Sequence, residues 1–272
     1  MYINLFDSHI HTDNSFDGVH SLTFLCEKAV EKGLSGLCVT DHCELRDYEK
    51  GGYAQRIAQS AFDAKKCRAV FSGRLAVMTG IELSDVYYDE ALTDRVLESV
   101  PFDMVMVSQH TDAEGADIFY TDYSAQTSAQ IADYLEFYFS YLLRVAKGGK
   151  FDTLGHLTYP VRYIVGTHKV PLDLGRYDDL VEAVLREVAA QGKAIELNTS
   201  GLAGELGDTI PSMRYVRRYR ELGGEYITLG SDAHTADAVG AGIRVAMQML
   251  ADAGFSYFTF YKQRQPLQLK LI

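Results

Sequence analysis

Seven short apolar runs recur along the chain and divide it into similar units. Apolar runs of this length, bounded by polar or turn-forming residues, are typical of buried β-strands. The runs cover residues 2–6, 36–40, 75–81, 104–108, 151–155, 193–198 and 226–230. We therefore predict seven strands, separated by segments that are long enough to contain helices.

The segments between the runs predict helices. In residues 21–33 the apolar side chains of Leu22, Leu25 and Ala29 fall on one helical face. Gly33 follows this pattern and is a typical helix end. The same spacing recurs in residues 124–149, 176–193 and 212–224.

Strands that alternate with helices imply parallel pairing, because parallel neighbours need a long crossover connection. Seven such units without a Pro- or Ser-rich linker favour one closed α/β barrel, a single domain over residues 1–272. Residues 43–73 and 111–124 have the least regular pattern, and we predict loops there.

The composition restricts the class of partner. Hydrophobic residues make up 47% of the chain, enough for a large core, and the formal charge is −11. An acidic chain is a poor match for the nucleic-acid backbone, and no apolar run approaches the ~18 residues of a membrane span. We therefore expect neither nucleic acid nor a membrane as a partner. The amino terminus has no basic segment followed by a long apolar stretch, so we expect a cytoplasmic protein.

The cysteine pattern indicates a reducing compartment. Cys26, Cys38, Cys43 and Cys67 form no C-x-x-C pair. Cys26 and Cys38 lie in apolar runs and are expected to be small core residues. Free thiols without a disulfide framework are typical of intracellular proteins.

Six of the eight histidines lie just beyond predicted strand ends. In α/β barrels the carboxyl ends of the strands share one rim, where the chemistry takes place. His20 and His168 lie in polar surroundings, and we expect ordinary surface or capping roles for them. The polar residues that follow the seven runs are Asp7, His9 and His11; Asp41 and His42; Glu82; His110; His156; Asn198; and Asp232 and His234.

Histidines mixed with a few carboxylates favour a transition-metal site. Neutral imidazole suits zinc, iron or manganese, whereas calcium and magnesium prefer oxygen ligands. Taken alone, each motif has an ordinary explanation, such as a surface histidine pair or an aspartate that caps a helix. The six histidines, with Asp17, Glu82 and Asp232, exceed what one tetrahedral ion needs. Two or three ions are expected, and such clusters are typical of phosphoester hydrolysis.

A resemblance supports this interpretation. "DSHIHT", "TDH", "GIEL", "SQH", "GH" and "SDAH" occur in this order and resemble the motifs of the polymerase-and-histidinol-phosphatase (PHP) superfamily. Within it, "FDTLGHLTYPVRY", "IELNTSGL" and "YRELGGEYITLGSDAH" are similar to the monofunctional histidinol-phosphatase branch. The likeness covers nearly the whole chain. It implies a distorted barrel of seven β/α units, in agreement with the count of runs.

The resemblance also implies three divalent transition-metal ions (zinc, iron or manganese). Some relatives have histidine where this chain has Asp17, which bears on the metal preference there. Glu82 would bridge the first and second ions. The implied ligands are His9, His11, Glu82 and Asp232 for the first ion; Glu82, His110 and His156 for the second; and Asp17, His42 and His234 for the third.

The implied reaction is hydrolysis of a phosphate monoester, in which a hydroxide that bridges the ions attacks phosphorus. Arg162 matches an arginine that holds the phosphate in this branch, and a guanidinium fits phosphate geometry. Either Asp232 or His234 would protonate the leaving alkoxide. Many relatives carry a basic residue where this chain has Ala203 and Gly204, so a second cationic contact would have to come from elsewhere. Arg214 and Arg217 are candidates, although the four arginines of "SMRYVRRYR" are more simply explained as a solvated helix face.

The implied substrate is histidinol phosphate, whose far end is cationic or nearly so. We expect this end to meet acidic or hydrogen-bonding residues and an aromatic loop. A phosphatase for nucleotides or another small phosphate ester is the alternative, and a non-catalytic metal-binding module or polymerase-associated domain is a third. The candidate substrate contacts are Asp85, Asp122 and Asn198, with Tyr120 and Tyr123 as residues that close over the site.

Overall fold

The computed structural model describes residues 4–271, in which seven parallel strands form a nearly closed barrel surrounded by helices. The order around the barrel is β1-β2-β4-β5-β6-β7-β8, and β3 adds to β4. The strands are β1 (Phe6–Ile10), β2 (Gly36–Val39), β3 (His42–Glu44), β4 (Ala76–Ser84), β5 (Met104–Val107), β6 (Thr153–Leu154), β7 (Ala194–Asn198), β8 (Ile227–Gly230), β9 (Tyr257–Lys262) and β10 (Gln265–Lys270).

Backbone hydrogen bonds between the first and last barrel strands close the ring. The Asp232 amide donates to the His9 carbonyl and the His11 amide to the Ala233 carbonyl, each at 2.9 Å. Because these bonds lie at the carboxyl ends of β1 and β8, closure also brings their histidines and Asp232 together. The predicted seven-unit α/β barrel is confirmed.

Helices cover the outside of the barrel, so its strands are buried on both faces, as expected for a parallel sheet. Four of them match the predicted helical segments to within a few residues. Among residues 4–271, no helix is both long enough and apolar enough to cross a bilayer. The helices are α1 (Leu22–Glu31), α2 (Tyr53–Val70), α3 (Glu90–Ser99), α4 (Ser128–Gly148), α5 (Tyr159–Val161), α6 (Asp178–Ala190), α7 (Met213–Glu221) and α8 (Ile243–Asp252).

The prediction of a loop over residues 43–73 is wrong for most of its length, because α2 occupies Tyr53–Val70. Its buried face consists partly of small or polar residues such as Ser60 and Ala64, which weakens the apolar pattern. Ser60 has a specific role, since its hydroxyl donates to Asp41 at 2.6 Å beneath the rim.

Two barrel strands extend beyond their predicted ends. Residues 2 and 3 of the first run lie outside the described residues, and β1 continues to Ile10. β4 continues to Ser84. As a result His9 and Glu82 lie inside strands rather than after them. Glu82 is paired with His42 on β3 and Met106 on β5, whereas His9 lies where the register between β1 and β2 shifts.

A hairpin of β9 and β10 lies at the opposite end of the barrel from the histidines. The amides of Gln263 and Arg264 donate to the side chain and carbonyl of Asp103, at 3.0 and 2.9 Å. Asp103 comes just before β5, so the hairpin covers the amino ends of the strands. All four cysteines are free thiols, as predicted, and Cys26 and Cys38 are buried as expected; Cys43 and Cys67 are buried as well.

Candidate metal centre

The predicted ligands converge around the carboxylate of Glu82, which is fully buried. Its Oε1 lies 2.8 Å from His156 Nε2 and 3.3 Å from His110 Nε2. Its Oε2 lies 3.0 Å from His42 Nδ1 and 3.3 Å from His9 Nε2. Oε2 also lies 3.5 Å from His11 Nε2, so one carboxylate contacts five imidazoles, an arrangement in which it could be shared by two ions.

A second group lies where β1 meets the end of β8. His9 Nε2 and His11 Nε2 are 2.9 Å apart, and Asp232 Oδ1 is 3.6 and 3.3 Å from them. His9 and His11 share one side of β1 because residues two apart on a strand point the same way. Asp232 is held there in a left-handed conformation, with φ of 55°.

The third group, formed by Asp17, His42 and His234, is the most open to solvent. Asp17 Oδ2 lies 3.1 Å from His234 Nε2 and 3.6 Å from His42 Nε2. The side chains of Asp17 and His234 are 37% and 32% exposed, whereas those of His9, His11 and Glu82 are fully buried. The histidine rings stack, with centroids of His11 and His234 4.2 Å apart.

The donor atoms fit divalent transition-metal ions. Facing imidazole nitrogens, as in the His9–His11 pair, need a shared proton or a cation between them. Within the described residues, four overlapping groups of three side chains offer ligand atoms that all lie within 4.8 Å of one another. Nitrogen donors combined with carboxylate oxygens are the usual ligands of zinc, iron or manganese.

The charges at the centre also favour cations. Burial alone would raise the pKa of Glu82, but His9, His42 and His110 hold it well below its usual range. Burial, together with His42 and His234, lowers the pKa of His11 well below its usual value. Against the effect of burial, the neighbouring carboxylates raise the pKa of His9 and of His110 well above its usual value, so a metal ion bound at these two rings would displace their protons.

Two glutamates that sequence reasoning missed, Glu196 fully buried and Glu44 partly buried, contact the second ring nitrogen of a proposed ligand histidine. Glu196 Oε1 lies 2.7 Å from His9 Nδ1, and Glu44 Oε1 lies 2.8 Å from His110 Nδ1. Metal-binding histidines generally donate their second ring nitrogen to such a partner. The sequence did indicate a partner for Glu196, because an acid in the middle of the buried run 193–198 must be paired with another polar group.

Arg162 opens onto the same cleft as the metal groups. Its Nη1 donates to Ser200 Oγ at 3.1 Å and lies 3.5 Å from Asp232 Oδ2. The cleft has a volume of about 410 Å³, and one wall is aromatic, formed by Phe119, Tyr159 and Tyr163. Its other lining residues include Asp17, His42, His110, His156, Asp232 and His234.

The predicted substrate contacts do not line this cleft. Asp85 is buried beside it, where Arg46, Thr111 and Gln109 donate to its Oδ1. Exposed Asp122 accepts from Ser124 and contacts His168. Both acids therefore already have partners outside the cleft lining.

The aromatic residues and Asn198 also differ from the prediction. Tyr120 is 77% exposed and Tyr123 is buried beneath its loop, while their neighbour Phe119 reaches the cleft. Asn198 is buried, and its Oδ1 accepts from the Ser200 hydroxyl at 2.6 Å. It therefore supports the residue that holds Arg162.

The remaining basic candidates lie elsewhere. Arg214 and Arg217, on α7, line a different groove, and Arg214 pairs with Asp178. Ala203, by contrast, does line the cleft. His20 lies away from the ligand cluster, where its Nδ1 accepts from the Ala236 amide at 3.3 Å.

Comparison with known proteins agrees with this geometry. The sequence-family model of the PHP domain matches residues 7–200 of this chain. The chain belongs to the PHP family. A probable histidinol-phosphatase from Deinococcus radiodurans is 30% identical, with 96% of this chain and 99% of that protein covered. The histidinol-phosphatase of Lactococcus lactis is 25% identical over 92% of this chain and 91% of its own length.

The crystal structure of histidinol phosphate phosphatase from Lactococcus lactis, complexed with zinc, L-histidinol and phosphate, has the same fold. The TM-score is 0.81 at 21% identity, with 98% of this chain and 100% of that chain covered. The family that the motifs resembled is thus confirmed.

Proposed function

We propose that this PHP protein is a metal-dependent phosphomonoesterase that hydrolyses L-histidinol phosphate to L-histidinol and phosphate. The observation that carries the proposal is the joint position of the histidine–carboxylate groups and Arg162 on one cleft. Relatives named histidinol-phosphatase, matched over nearly their whole length, support the choice of substrate.

Three divalent transition-metal ions would occupy the centre. When bound, they would activate a water as nucleophile at neutral pH and offset negative charge on the phosphoryl oxygens. Asp17 would supply the carboxylate ligand of the third ion, whose ligands are the most exposed to solvent. The proposed ligands are His9, His11, Glu82 and Asp232; Glu82, His110 and His156; and Asp17, His42 and His234.

Arg162 would bind the phosphate. Its guanidinium is half-exposed at the cleft and fixed by Ser200, so its other N–H donors can reach phosphoryl oxygens. Asp232 or His234, which line the same opening, would protonate the leaving alkoxide. Phe119 and Tyr163 would shield the reacting groups from water.

The direct test is phosphate release from a panel of substrates. Histidinol phosphate, nucleoside monophosphates and a generic aryl phosphate would be compared by steady-state kinetics. Preferential hydrolysis of histidinol phosphate supports the proposal, whereas equal efficiency on nucleotides would reassign the substrate. Failure to release phosphate from any of the three would contradict the assignment as an enzyme.

Metal content is expected to be two to three transition-metal ions per chain in protein purified without chelator. We expect the ion at Asp17 and His234 to be removed first on titration with a chelator, because these side chains are the most exposed ligands. Elemental analysis at each step of the titration measures this. At most one ion in active enzyme would rule out the three-ion assignment.

Replacing Arg162 with alanine is expected to lower kcat/KM about 30-fold, because a charge-assisted contact to phosphate contributes roughly 2 kcal/mol. Lysine at this position should recover part of the loss, since it keeps the charge but not the planar fork. Arg214→Ala on α7 is the matched control and should leave the kinetics unchanged. Equal kinetics for all variants would remove Arg162 from the phosphate site.

A further inference from the structure

Glu196 is a buried carboxylate in the middle of β7, directly behind the metal-ligand cluster. Its Oε1 accepts from His9 Nδ1 at 2.7 Å. Its Oε2 accepts from the backbone amide of His156 at 2.7 Å and from Asn198 Nδ2 at 3.3 Å. One side chain therefore connects ligand positions on β1 and β6 from a third strand.

The neighbouring strand leaves space for this contact. A Cβ on Gly230, at the end of β8, would lie 2.1 Å from Glu196 Oε1 and 2.5 Å from the Cβ of His9. The Glu196 carboxylate and the His9 side chain are both fully buried, so a larger residue at Gly230 would push them apart. The backbone of β8 thus requires glycine here for packing against the carboxylate.

Apart from His110, which Glu44 contacts in the same way, the other ligand rings have weaker support. His11 Nδ1 lies 3.1 Å from the Ser15 hydroxyl, and His234 Nδ1 lies 2.9 Å from the carbonyl of Asp232. A carboxylate behind the ring makes the opposite nitrogen a stronger donor than a neutral acceptor does. His9 belongs to two of the four candidate ligand groups, so its orientation affects more than one ion.

We propose that Glu196 is a positioning residue that fixes His9 with its proton on Nδ1 and its Nε2 lone pair directed at the metals. The proposal rests on the metal-dependent function proposed above and adds a residue that touches neither ion nor substrate. Gly230 is also required, because a residue without a Cβ leaves space for the contact between Glu196 and His9.

Glutamine cannot replace Glu196 in this role. Both carboxylate oxygens accept hydrogen bonds from N–H groups, whereas an amide offers one acceptor and one donor. If the amide oxygen faces the His156 amide, its NH₂ faces His9 and forces the His9 proton onto Nε2. The lone pair directed at the metals is then lost. The opposite orientation leaves the buried His156 amide facing another donor.

The test measures metal binding without substrate, so its outcome does not depend on whether histidinol phosphate is hydrolysed. Zinc affinity and stoichiometry are measured by competition with a chelator for wild type, Glu196→Gln and Gly230→Ala. Absorption of the cobalt-loaded forms reports the number of nitrogen ligands. Asp152→Asn is the control, since Asp152 is a buried carboxylate at the other end of the barrel, where it accepts from the Val105 amide at 2.7 Å.

We expect both test variants to bind zinc 10- to 100-fold more weakly, the range typical of lost outer partners of metal ligands. Their cobalt spectra should change, while Asp152→Asn keeps wild-type affinity even if its thermal stability falls. Wild-type zinc affinity in Glu196→Gln would overturn the proposal, as would an equal loss in Asp152→Asn. If Glu196→Gln does not fold, Gly230→Ala decides, and unchanged affinity in that variant overturns the proposal.

Discussion

Replacing Glu82 with alanine is expected to lower kcat/KM by several orders of magnitude and to reduce the number of bound metal ions. Its two oxygens contact five histidines, and it is the proposed bridge between two ions. Alanine removes this anion and leaves the imidazoles facing one another across a cavity. Because the first and second of the proposed ions would share this ligand, both positions would be weakened at once.

His168→Ala provides the control for this prediction. His168 contacts Asp122 on the outside of the barrel and is not part of the ligand cluster. We expect it to keep wild-type turnover and metal content, measured by steady-state kinetics and elemental analysis. Near-normal turnover in Glu82→Ala would show that the ligand assignment is wrong.

The barrel and the ligand cluster could be predicted because both depend on spacing along the chain. Parallel strands place their carboxyl ends on one rim, so a polar residue after each apolar run implies a shared site. His42, His110 and His156 follow the second, fourth and fifth runs and meet at Glu82, which follows the third, for this reason. No knowledge of side-chain packing was needed for that inference.

The supporting residues could not be assigned in the same way. Glu44 and Glu196 are single acids whose role depends on which ring they face, and only the three-dimensional packing of β3 and β7 determines that. The terminal hairpin was missed for a local reason. Its turn residues Gln263 and Arg264 both have positive φ, 51° and 63°, without the glycine or asparagine that marks such turns.

The substrate contacts were predicted least well, because loop direction has no periodic signal. Asp85 and Asp122 come after strand-end residues in the sequence, yet each accepts a hydrogen bond from a neighbouring side chain away from the cleft. Phe119 lines the cleft, while the adjacent Tyr120 points to solvent. Neighbouring residues of one 3₁₀ turn face different directions, and the sequence does not indicate which one faces inward.

Histidinol phosphate is expected to be hydrolysed with kcat/KM at least ~100-fold above that of nucleoside monophosphates, a difference of about 2.7 kcal/mol in transition-state stabilisation. The cationic end of histidinol phosphate suits an acidic chain and the aromatic wall of Phe119 and Tyr163. Among the described residues that line the cleft, Arg162 is the only lysine or arginine. It is engaged by the transferred phosphate in either substrate, so a nucleotide gains no further cationic contact.

The structure changes which variants test this selectivity. Phe119→Ala is expected to reduce the preference about fivefold, because loss of one cation–π contact costs roughly 1 kcal/mol. Asp122→Asn is the control and should leave the ratio unchanged, since this exposed carboxylate does not line the cleft. A fall in the ratio for Asp122→Asn alone would mean that its loop closes over the substrate and that charge, rather than the aromatic wall, selects it. Comparable kcat/KM for both substrates in the wild type would remove histidinol phosphate as the assigned substrate, while the metal-dependent phosphatase chemistry would remain.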